Sequence, residues 1–217
     1  MSTENEIIKN YNERVRSEIY NSLYSVFCGN EVKNCFVFNA KKFVTNIDSA
    51  KILEIGAGQG NNISFFIDAG FKLENIYLNE LLPERIEALL LKVNKNNVYP
   101  GNAITLKIDN KFNCIFQSTV FTSILNNSDR INLANKMWEL LNDNGVIFWY
   151  DFTFNNPKNK NVKKVTRKNI KHLFPNAKKI TFTKITLAPP IGRRVGKFYN
   201  LFNLPFLRTH LFAVIEK

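Results

Sequence analysis

The sequence predicts an α/β protein in which helices cover both faces of a mostly parallel sheet. Short apolar runs alternate with segments of helical periodicity through the middle of the chain, as in parallel sheets joined by crossover helices. A glycine-rich turn joins the first apolar run to the helix behind it. With 217 residues, of which 45% are hydrophobic, the chain is long enough to form one domain over residues 1–217.

An N-terminal helix is predicted over about residues 4–27. Thr3 and Glu6 have the spacing of a capping box, and apolar residues then recur at helical spacing as far as Leu23. Tyr11 belongs to this apolar repeat. We therefore expect residues 1–47 to form a helical cap ahead of the first strand.

The most informative stretch is the glycine turn after the first predicted strand, residues 51–55. The glycines free the backbone to approach a ligand closely, and a helix is predicted over 61–69. Their spacing is not that of dinucleotide binders, and no Lys-Ser or Lys-Thr follows as in a phosphate loop. Glu54 suits an acceptor for a cationic or amino-bearing ligand, whereas a tight packing turn is the alternative interpretation. The glycines are Gly56, Gly58 and Gly60.

A carboxylate ends the second predicted strand, which spans 75–79 and leads into Glu80. Pro83 suits the first turn of a helix predicted over 83–95. Because parallel strands end at one edge of a sheet, Glu80 should lie beside the glycine turn. There it can accept hydrogen bonds from both hydroxyls of a ribose. An exposed turn residue is the alternative for Glu80 taken alone.

The remaining elements continue the alternation of strands and helices. No helical pattern of comfortable length separates the last two predicted strands. The further strands are predicted at 104–107, 112–117, 145–151, 178–188 and 207–217, and the further helices at 129–141 and 167–174.

Three stretches together resemble the S-adenosylmethionine site of Rossmann-like (class I) methyltransferases. They are 53–60 with the glycine turn, 78–83 with the matched acid, and 144–151 with a late glycine turn and an apolar strand. The resemblance covers about residues 48–152, the expected cofactor-binding half, and leaves 153–217 as the acceptor-side half. It implies a seven-stranded sheet whose final, antiparallel strand lies between the fifth and the sixth.

The resemblance also implies a cofactor and the residues that would hold it. The cofactor would be S-adenosyl-L-methionine, the product S-adenosyl-L-homocysteine, and no metal is expected. Glu54 and the backbone of the turn would hold the amino-acid half of the cofactor. Glu80 would bind the ribose, and Leu81 would lie against the adenine. The turn residues in question are Gly56, Ala57, Gly58 and Gly60.

Three further positions complete the implied cofactor site. The run Gly101-Asn102-Ala103 stands where the family commonly has Gly-Asp-Ala, and Asn102 would bond the adenine amino group. Gln117 would close the pocket near the methionine moiety. The chain departs from the usual pattern by having Glu at 80 and Asn at 102, where Asp is commoner; an amide accepts a hydrogen bond without the assistance of charge.

The predicted topology brings distant residues to one edge of the sheet, where ligands of such folds bind. The fifth strand ends at Asp151, and the antiparallel final strand begins near His210. Either side chain would suit a general base that takes a proton from a sugar hydroxyl. An already anionic phosphate oxygen would need only positioning by arginines. The candidate substrate-binding residues are Arg193, Arg194, Arg208, Arg167 and Tyr11.

The chain is strongly basic, with 30 Lys and Arg against 18 Asp and Glu, which gives a net charge of +12. Such a field favours an anionic partner, and a basic surface without a specific partner is the alternative. A phosphate-bearing or sugar acceptor is the preferred hypothesis. A nucleic-acid (RNA) methyltransferase is the second, although Gln117-Ser-Thr-Val replaces the Asn/Asp-Pro-Pro-Tyr of base-modifying relatives. A non-catalytic cofactor-binding protein is the third.

The segment 191–211 mixes basic and apolar residues, which is typical either of a substrate lid that packs on the core or of a patch that touches lipid headgroups. The lid is the preferred interpretation. Residues 187–195 and 204–211 are also similar to methyltransferases found with bacterial capsule and surface-polysaccharide genes. The three cysteines form an odd set without metal-binding spacing, so we expect reduced thiols and a cytoplasmic protein. We expect a monomer or a homodimer.

Overall fold

The computed structural model describes residues 4, 5, 8, 22–156 and 159–217 of the chain. Within them, seven strands form one sheet: β1 (Ile52–Ile55), β2 (Ile76–Glu80), β3 (Val98–Pro100), β4 (Phe112–Ser118), β5 (Leu141–Phe152), β6 (Lys179–Leu187) and β7 (Arg208–Glu216). Their order across the sheet is β3-β2-β1-β4-β5-β7-β6. The neighbours among β1 to β5 pair in parallel, whereas β7 runs antiparallel to both β5 and β6.

Helices cover both faces of this sheet. The described helices are α1 (Leu23–Phe43), α2 (Ile63–Ala69), α3 (Pro83–Leu90), α4 (Asn127–Leu140), α5 (Arg167–Leu173), α6 (Pro189–Val195) and α7 (Tyr199–Phe202). Residues of α1, α2 and α3 pack in one hydrophobic cluster, and residues of α4 and α5 pack in another on the opposite face. We refer to these as the α1 face and the α4 face.

The two clusters are built around aromatic side chains. On the α1 face, Phe36 meets Phe66, Phe116 and Phe148 edge to face, with ring centroids 5.1–5.2 Å apart. On the α4 face, the fully buried Trp149 packs with its ring centroid 4.1 Å from that of Phe121. Removing a ring such as that of Phe36 would cost about 3–5 kcal/mol in transfer and cavity terms. Phe148 and Trp149 follow one another in β5, so successive residues of this strand pack in the two opposite clusters.

The predicted fold class is confirmed, including the antiparallel final strand between the fifth and the sixth. The prediction of the third strand at 104–107 is wrong. This strand lies at Val98–Pro100, and Ala103–Thr105 form a 3₁₀ turn instead. The alternation of apolar and polar residues at 104–107 resembles a strand, but the side chain of Asn102 accepts a hydrogen bond from the Ile104 N–H and begins the turn.

The N-terminal helix is present but differs from the predicted segment 4–27. Residues 4, 5 and 8 are helical, and most of the remaining prediction, up to 21, lies outside the described residues. A helix cannot run unbroken to 27, because Ser22 has an extended backbone and caps a new helix, accepting a hydrogen bond from Ser25 N–H. This helix, α1, continues to Phe43 because Val32, Phe36 and Ala40 lie four residues apart and are buried.

In the part of the chain that the structure describes, no helix is both long and apolar enough to cross a membrane.

Candidate functional site

A cavity of about 500 Å³ opens at the carboxyl ends of β1, β2 and β4. Five of the residues predicted to bind a cofactor line it: Gly56, Glu80, Leu81, Asn102 and Ala103. Both the position and the volume are typical of a ligand site in an open parallel sheet. Sequence reasoning missed the following lining residues: Glu4, Asn79, Arg85, Ser118, Val120 and Ser123.

The three glycines after β1 all have positive φ, between 58° and 75°, so each needs a conformation that other residues rarely adopt. They differ in what surrounds them. A Cβ on Gly56 would lie 2.6 Å from Val120, and one on Gly60 would lie 2.9 Å from Leu89. A Cβ on Gly58 would meet only a guanidinium nitrogen of Arg85, 3.9 Å away. Gly60 is thus a packing glycine, and Gly58 leaves room for a ligand.

The carboxylate of Glu80 joins β2 to this turn. One oxygen accepts a hydrogen bond from the Gly58 N–H at 2.6 Å, and the other accepts bonds from the N–H groups of Leu81 and Leu82 at 2.9 Å. The side chain is buried, and it lines the cavity. Carboxylate oxygens have about four lone-pair sites in all, so Glu80 keeps capacity to accept from a ligand.

Glu54 is fully buried at the end of β1. Its Oε1 accepts a hydrogen bond from Asn62 Nδ2 at 2.6 Å, whereas its Oε2 has no partner among the described residues. Burial raises the pKa of Glu54 to about 8, and the nearby Glu80 adds to the effect, while the bond from Asn62 opposes it. A buried, partly unsatisfied carboxyl of this kind would gain an ion pair if a cationic group came within reach.

The predicted adenine side also has the expected residues, but the amide of Asn102 is already engaged. Its oxygen accepts a hydrogen bond from Ile104 N–H at 3.0 Å, and its Nδ2 lies 3.4 Å from a carboxylate oxygen of Glu4. Asn79 fixes the neighbouring backbone by donating to the carbonyl oxygens of Tyr99 and Gly101, both at 2.9 Å. Asn102 therefore shapes this wall of the cavity by its turn.

Gln117 and Asp151 form a buried network on the α4 face. Gln117 donates to Asp151 Oδ2 at 3.0 Å and accepts a hydrogen bond from Val120 N–H at 3.1 Å. The hydroxyl of Thr122 donates to Asp151 Oδ1 at 2.8 Å. Burial raises the pKa of Asp151 to about 7, although these hydrogen bonds and the buried Arg130 oppose the shift. The network holds the turn after β4, whose residues Val120 and Ser123 line the cavity.

His210 lies on the other face of the sheet. It pairs with Phe152 in the β5–β7 ladder, and its ring stacks on Tyr150 with centroids 5.1 Å apart. Because side chains alternate along a strand, His210 and Tyr150 point to the α1 face and Asp151 to the α4 face. Burial lowers the pKa of His210 to about 4, so its imidazole is neutral at pH 7. The strands bring the two predicted bases to one end of the sheet, but not to one pocket.

Like the two predicted bases, the predicted substrate-binding arginines lie on different faces of the sheet. The guanidinium of Arg193 lies 6.0 Å above the ring of Tyr24, on the α1 face, and Arg194 is exposed beside it. Arg208 binds Asn203 and the Lys184 carbonyl oxygen, so it supports the chain after α7.

Arg167 lies apart from the other arginines. Its guanidinium is 5.4 Å from the ring of Phe182, which packs against the cluster on the α4 face. Tyr11 lies outside the described residues. The structure therefore brings Arg193, Arg194 and His210 to one face and leaves Arg167 on the other.

Within the described residues, no group of three or more His, Cys, Asp and Glu side chains is placed to hold a metal ion. The other five predicted cofactor residues do not line the cavity but lie in or beside the turns that border it: Glu54, Ala57, Gly58, Gly60 and Gln117. For two of the missed residues, Ser118 and Val120, the signal is the run Gln117-Ser-Thr-Val at the end of β4. It marks a turn that leaves the sheet at the site.

The described strands and helices have the fold of Rossmann-like methyltransferases that use S-adenosylmethionine. In particular, the chain is similar to the N-methyltransferase NodS of Bradyrhizobium japonicum WM9, solved with S-adenosyl-L-homocysteine. The TM-score is 0.70 at 9% identity, over 98% of this chain and 98% of NodS. No family profile and no curated protein sequence matches the chain.

Two other solved structures have the same architecture. The magnesium protoporphyrin IX methyltransferase ChlM of Synechocystis PCC 6803, with bound S-adenosylmethionine, gives a TM-score of 0.65 at 10% identity, over 100% of this chain and 98% of ChlM. A methyltransferase from Archaeoglobus fulgidus, described as dependent on S-adenosylmethionine, gives 0.60 at 12% identity, over 85% of this chain and 94% of that one. At such identities the likeness concerns the fold.

Proposed function

We propose that the chain is a methyltransferase that uses S-adenosyl-L-methionine. The observation that carries the proposal is the junction of Gly58 and Glu80 beside the cavity. The unpartnered oxygen of Glu54 fits the ammonium group of such a ligand. The open space above Gly58 leaves room for the rest of the ligand's amino-acid half. The methyltransferase fold supports the same assignment.

When bound, the cofactor supplies an electrophilic methyl group on a sulfonium, so the protein needs little covalent chemistry of its own. Glu54 would take the ammonium, and Glu80 the ribose hydroxyls. Leu81 and the Asn102 turn would enclose the adenine. The turn after β4, held by Asp151 and Gln117, would form the wall between the cofactor and the acceptor. Alignment of acceptor, methyl carbon and sulfur supplies most of the rate enhancement.

The proposed acceptor is a small anionic, phosphate-bearing or sugar-containing molecule of the kind used in bacterial surface-polysaccharide synthesis. The net charge of +12 and the exposed Arg193 and Arg194 support an anion. For a neutral hydroxyl acceptor, Asp151 has a suitable pKa for a base, near 7, but it is fully buried, bonded to Gln117 and Thr122, and does not line the cavity. His210, with a pKa near 4, is a weaker base at neutral pH. The proposed location is the cytoplasm.

Calorimetry with S-adenosylmethionine and S-adenosylhomocysteine tests the cofactor. A methyl-transfer assay with labelled cofactor, run against phosphorylated sugars, nucleotides and glycan precursors, tests the acceptor, with mass spectrometry of the product. Binding of the cofactor without transfer to any acceptor would favour the non-catalytic alternative. Transfer to RNA alone would favour the nucleic-acid alternative.

A further inference from the structure

The segment between β6 and β7 presents apolar side chains to the outside. Five large apolar residues are exposed within nine positions, and we call them the apolar patch. They are Phe198 (54% exposed), Leu201 (72%), Phe202 (42%), Leu204 (44%) and Phe206 (74%). Single exposed apolar residues are ordinary on protein surfaces, but a group of this density marks a contact surface.

Two polar side chains of the same segment, those of Tyr199 and Asn203, bond to the body of the protein. The hydroxyl of the fully buried Tyr199 donates to Glu31 at 2.5 Å and accepts from the Leu187 N–H at 3.0 Å. Asn203 also donates to Glu31, and it accepts a hydrogen bond from Arg208 at 3.0 Å. The informative feature is therefore the exposed group of large apolar side chains, held in place from the inside. These hydrogen bonds fix the segment with its large apolar side chains outward, which is the arrangement of a surface that contacts an apolar medium.

Positive charge borders the apolar patch. Arg193, Arg194 and Lys197 are exposed and precede it directly, and the chain carries a net charge of +12. Phe and Leu side chains next to Lys and Arg are the composition that inserts shallowly at the level of lipid headgroups. Anionic headgroups complement the basic border, whereas an apolar protein partner would not require it. No described helix is suited to span the membrane, so such contact would be peripheral.

We propose that the apolar patch docks the protein on an anionic lipid bilayer. Phe198, Leu201 and Phe206 would enter the headgroup region, and the basic residues would bind lipid phosphates. The patch follows the carboxyl end of β6, and the cavity opens at the same edge of the sheet. Docking would therefore turn that edge toward the membrane surface. The proposal goes beyond the methyltransferase function and holds whether or not the cofactor assignment is right.

Vesicle co-sedimentation of the full chain tests the proposal without any cofactor. Phosphatidylcholine vesicles with about a third of anionic phosphatidylglycerol should bind the protein at least about tenfold more tightly than phosphatidylcholine alone. The double variant Leu201→Ser/Phe206→Ser should lose about tenfold or more in binding to the anionic vesicles. The matched control is Phe38→Ser/Leu91→Ser, whose side chains are also more than half exposed, at 67% and 89%, but lie outside the patch. It should bind as the wild type does.

Two further measurements distinguish docking on lipid from association between copies of the chain. The emission of Phe206→Trp should shift to the blue when anionic vesicles are added, because the indole enters the headgroup region. Lys197→Gln should weaken binding about fivefold, and Lys95→Gln, also exposed, should not. Equal binding by the double serine variant, equal binding to neutral vesicles, or an unshifted emission would overturn the proposal. The proposal would also be overturned if light scattering showed a wild-type dimer that is lost in the double variant, and if the wild type did not bind vesicles.

Discussion

The carboxylate of Glu80 accepts a hydrogen bond of 2.6 Å from the backbone N–H of Gly58, across the gap between β2 and the turn after β1. The acid is thus fixed before any ligand arrives, and the turn is held open by the same bond. A preformed acceptor loses little entropy on binding, which is the physical advantage of placing it on a buried strand end.

Gly58→Arg should abolish binding of S-adenosylhomocysteine, because the open space above Gly58 would be filled by the new side chain. The positive φ of Gly58, 58°, adds strain for any other residue. Calorimetry measures the affinity, and circular dichroism checks the fold. Gly29→Arg is the matched control, since a Cβ there has nothing within 4 Å. Affinity equal to the wild type in folded Gly58→Arg would refute the cofactor assignment.

Glu80→Ala should weaken cofactor binding about ten- to a hundredfold. This factor corresponds to the loss of two charge-assisted hydrogen bonds that together contribute roughly 1.5–3 kcal/mol. It should also lower the free energy of unfolding by about 1–3 kcal/mol, because three backbone N–H groups lose their acceptor. Calorimetry and urea denaturation measure the two effects. Glu74→Ala, an exposed acid ahead of β2, should change neither. Unchanged affinity in Glu80→Ala would mean that the ribose binds elsewhere.

Cofactor affinity should rise about tenfold between pH 6 and pH 7. With a pKa of about 8, Glu54 is mostly protonated in the free protein, and an incoming ammonium favours the ionised form. Binding should therefore release a proton, which calorimetry in buffers of different ionisation enthalpy detects. Glu54→Gln should bind more weakly and show no such pH dependence. The same slope in Glu54→Gln would assign the proton to another group.

Asp151→Asn should change how stability depends on pH. Because burial raises the pKa of Asp151 from 3.8 to about 7, the folded state keeps a proton that the unfolded chain releases. This contribution is full below pH 4 and is lost as the pH rises through 7. The wild type should thus lose stability relative to Asp151→Asn over that range, in urea titrations at each pH. His210 acts in the opposite sense between pH 4 and 6.5, but equally in both proteins. Parallel curves would contradict the prediction.

Arg193→Ala or Arg194→Ala should raise the KM for an anionic acceptor and leave cofactor affinity unchanged, because both arginines are exposed on the α1 face. The effect should shrink as salt rises, since ions screen exposed charges. Steady-state kinetics at two ionic strengths measure it. Lys72→Ala removes the same charge ahead of β2, at the opposite end of the sheet, and should have no effect. A neutral acceptor methylated equally by all four proteins at low salt would reject the anionic-acceptor hypothesis.

The sequence predicts the strands with strong apolar patterns and misplaces those that tertiary context defines. β4 and β5 are long and apolar, so their patterns locate them within a few residues. β3 has only three residues, at the edge of the sheet, and pairs with β2 alone among the described strands. So short a segment has no periodicity to detect. The extent of α1 is not predicted because Gly29 and several asparagines disguise a helix that packing stabilises.

In the site, too, the sequence pattern predicts some features and tertiary context defines the others. The glycine turn and the acid of β2 lie next to the cavity because strand ends meet at one edge, which the alternation of elements predicts. Which face a rim residue points to depends on register, and a shift of one residue exchanges the faces. Asp151 and His210 are therefore separated, although the topology brings their strands together. The partners of Asp151, such as Thr122, come from a turn with no pattern of its own.

The position of β7 has a consequence for the order in which the protein is completed during synthesis. Among the described strands, β6 pairs with β7 alone, so β6 has no neighbour until Arg208–Glu216 leaves the ribosome. Until then the open flank of β5 and the whole of β6 expose unpaired backbone groups, which are prone to pair with other chains. Final closure of the sheet must therefore follow translation of β7. A nascent chain halted before Arg208 should be a far better substrate for chaperones than the released protein.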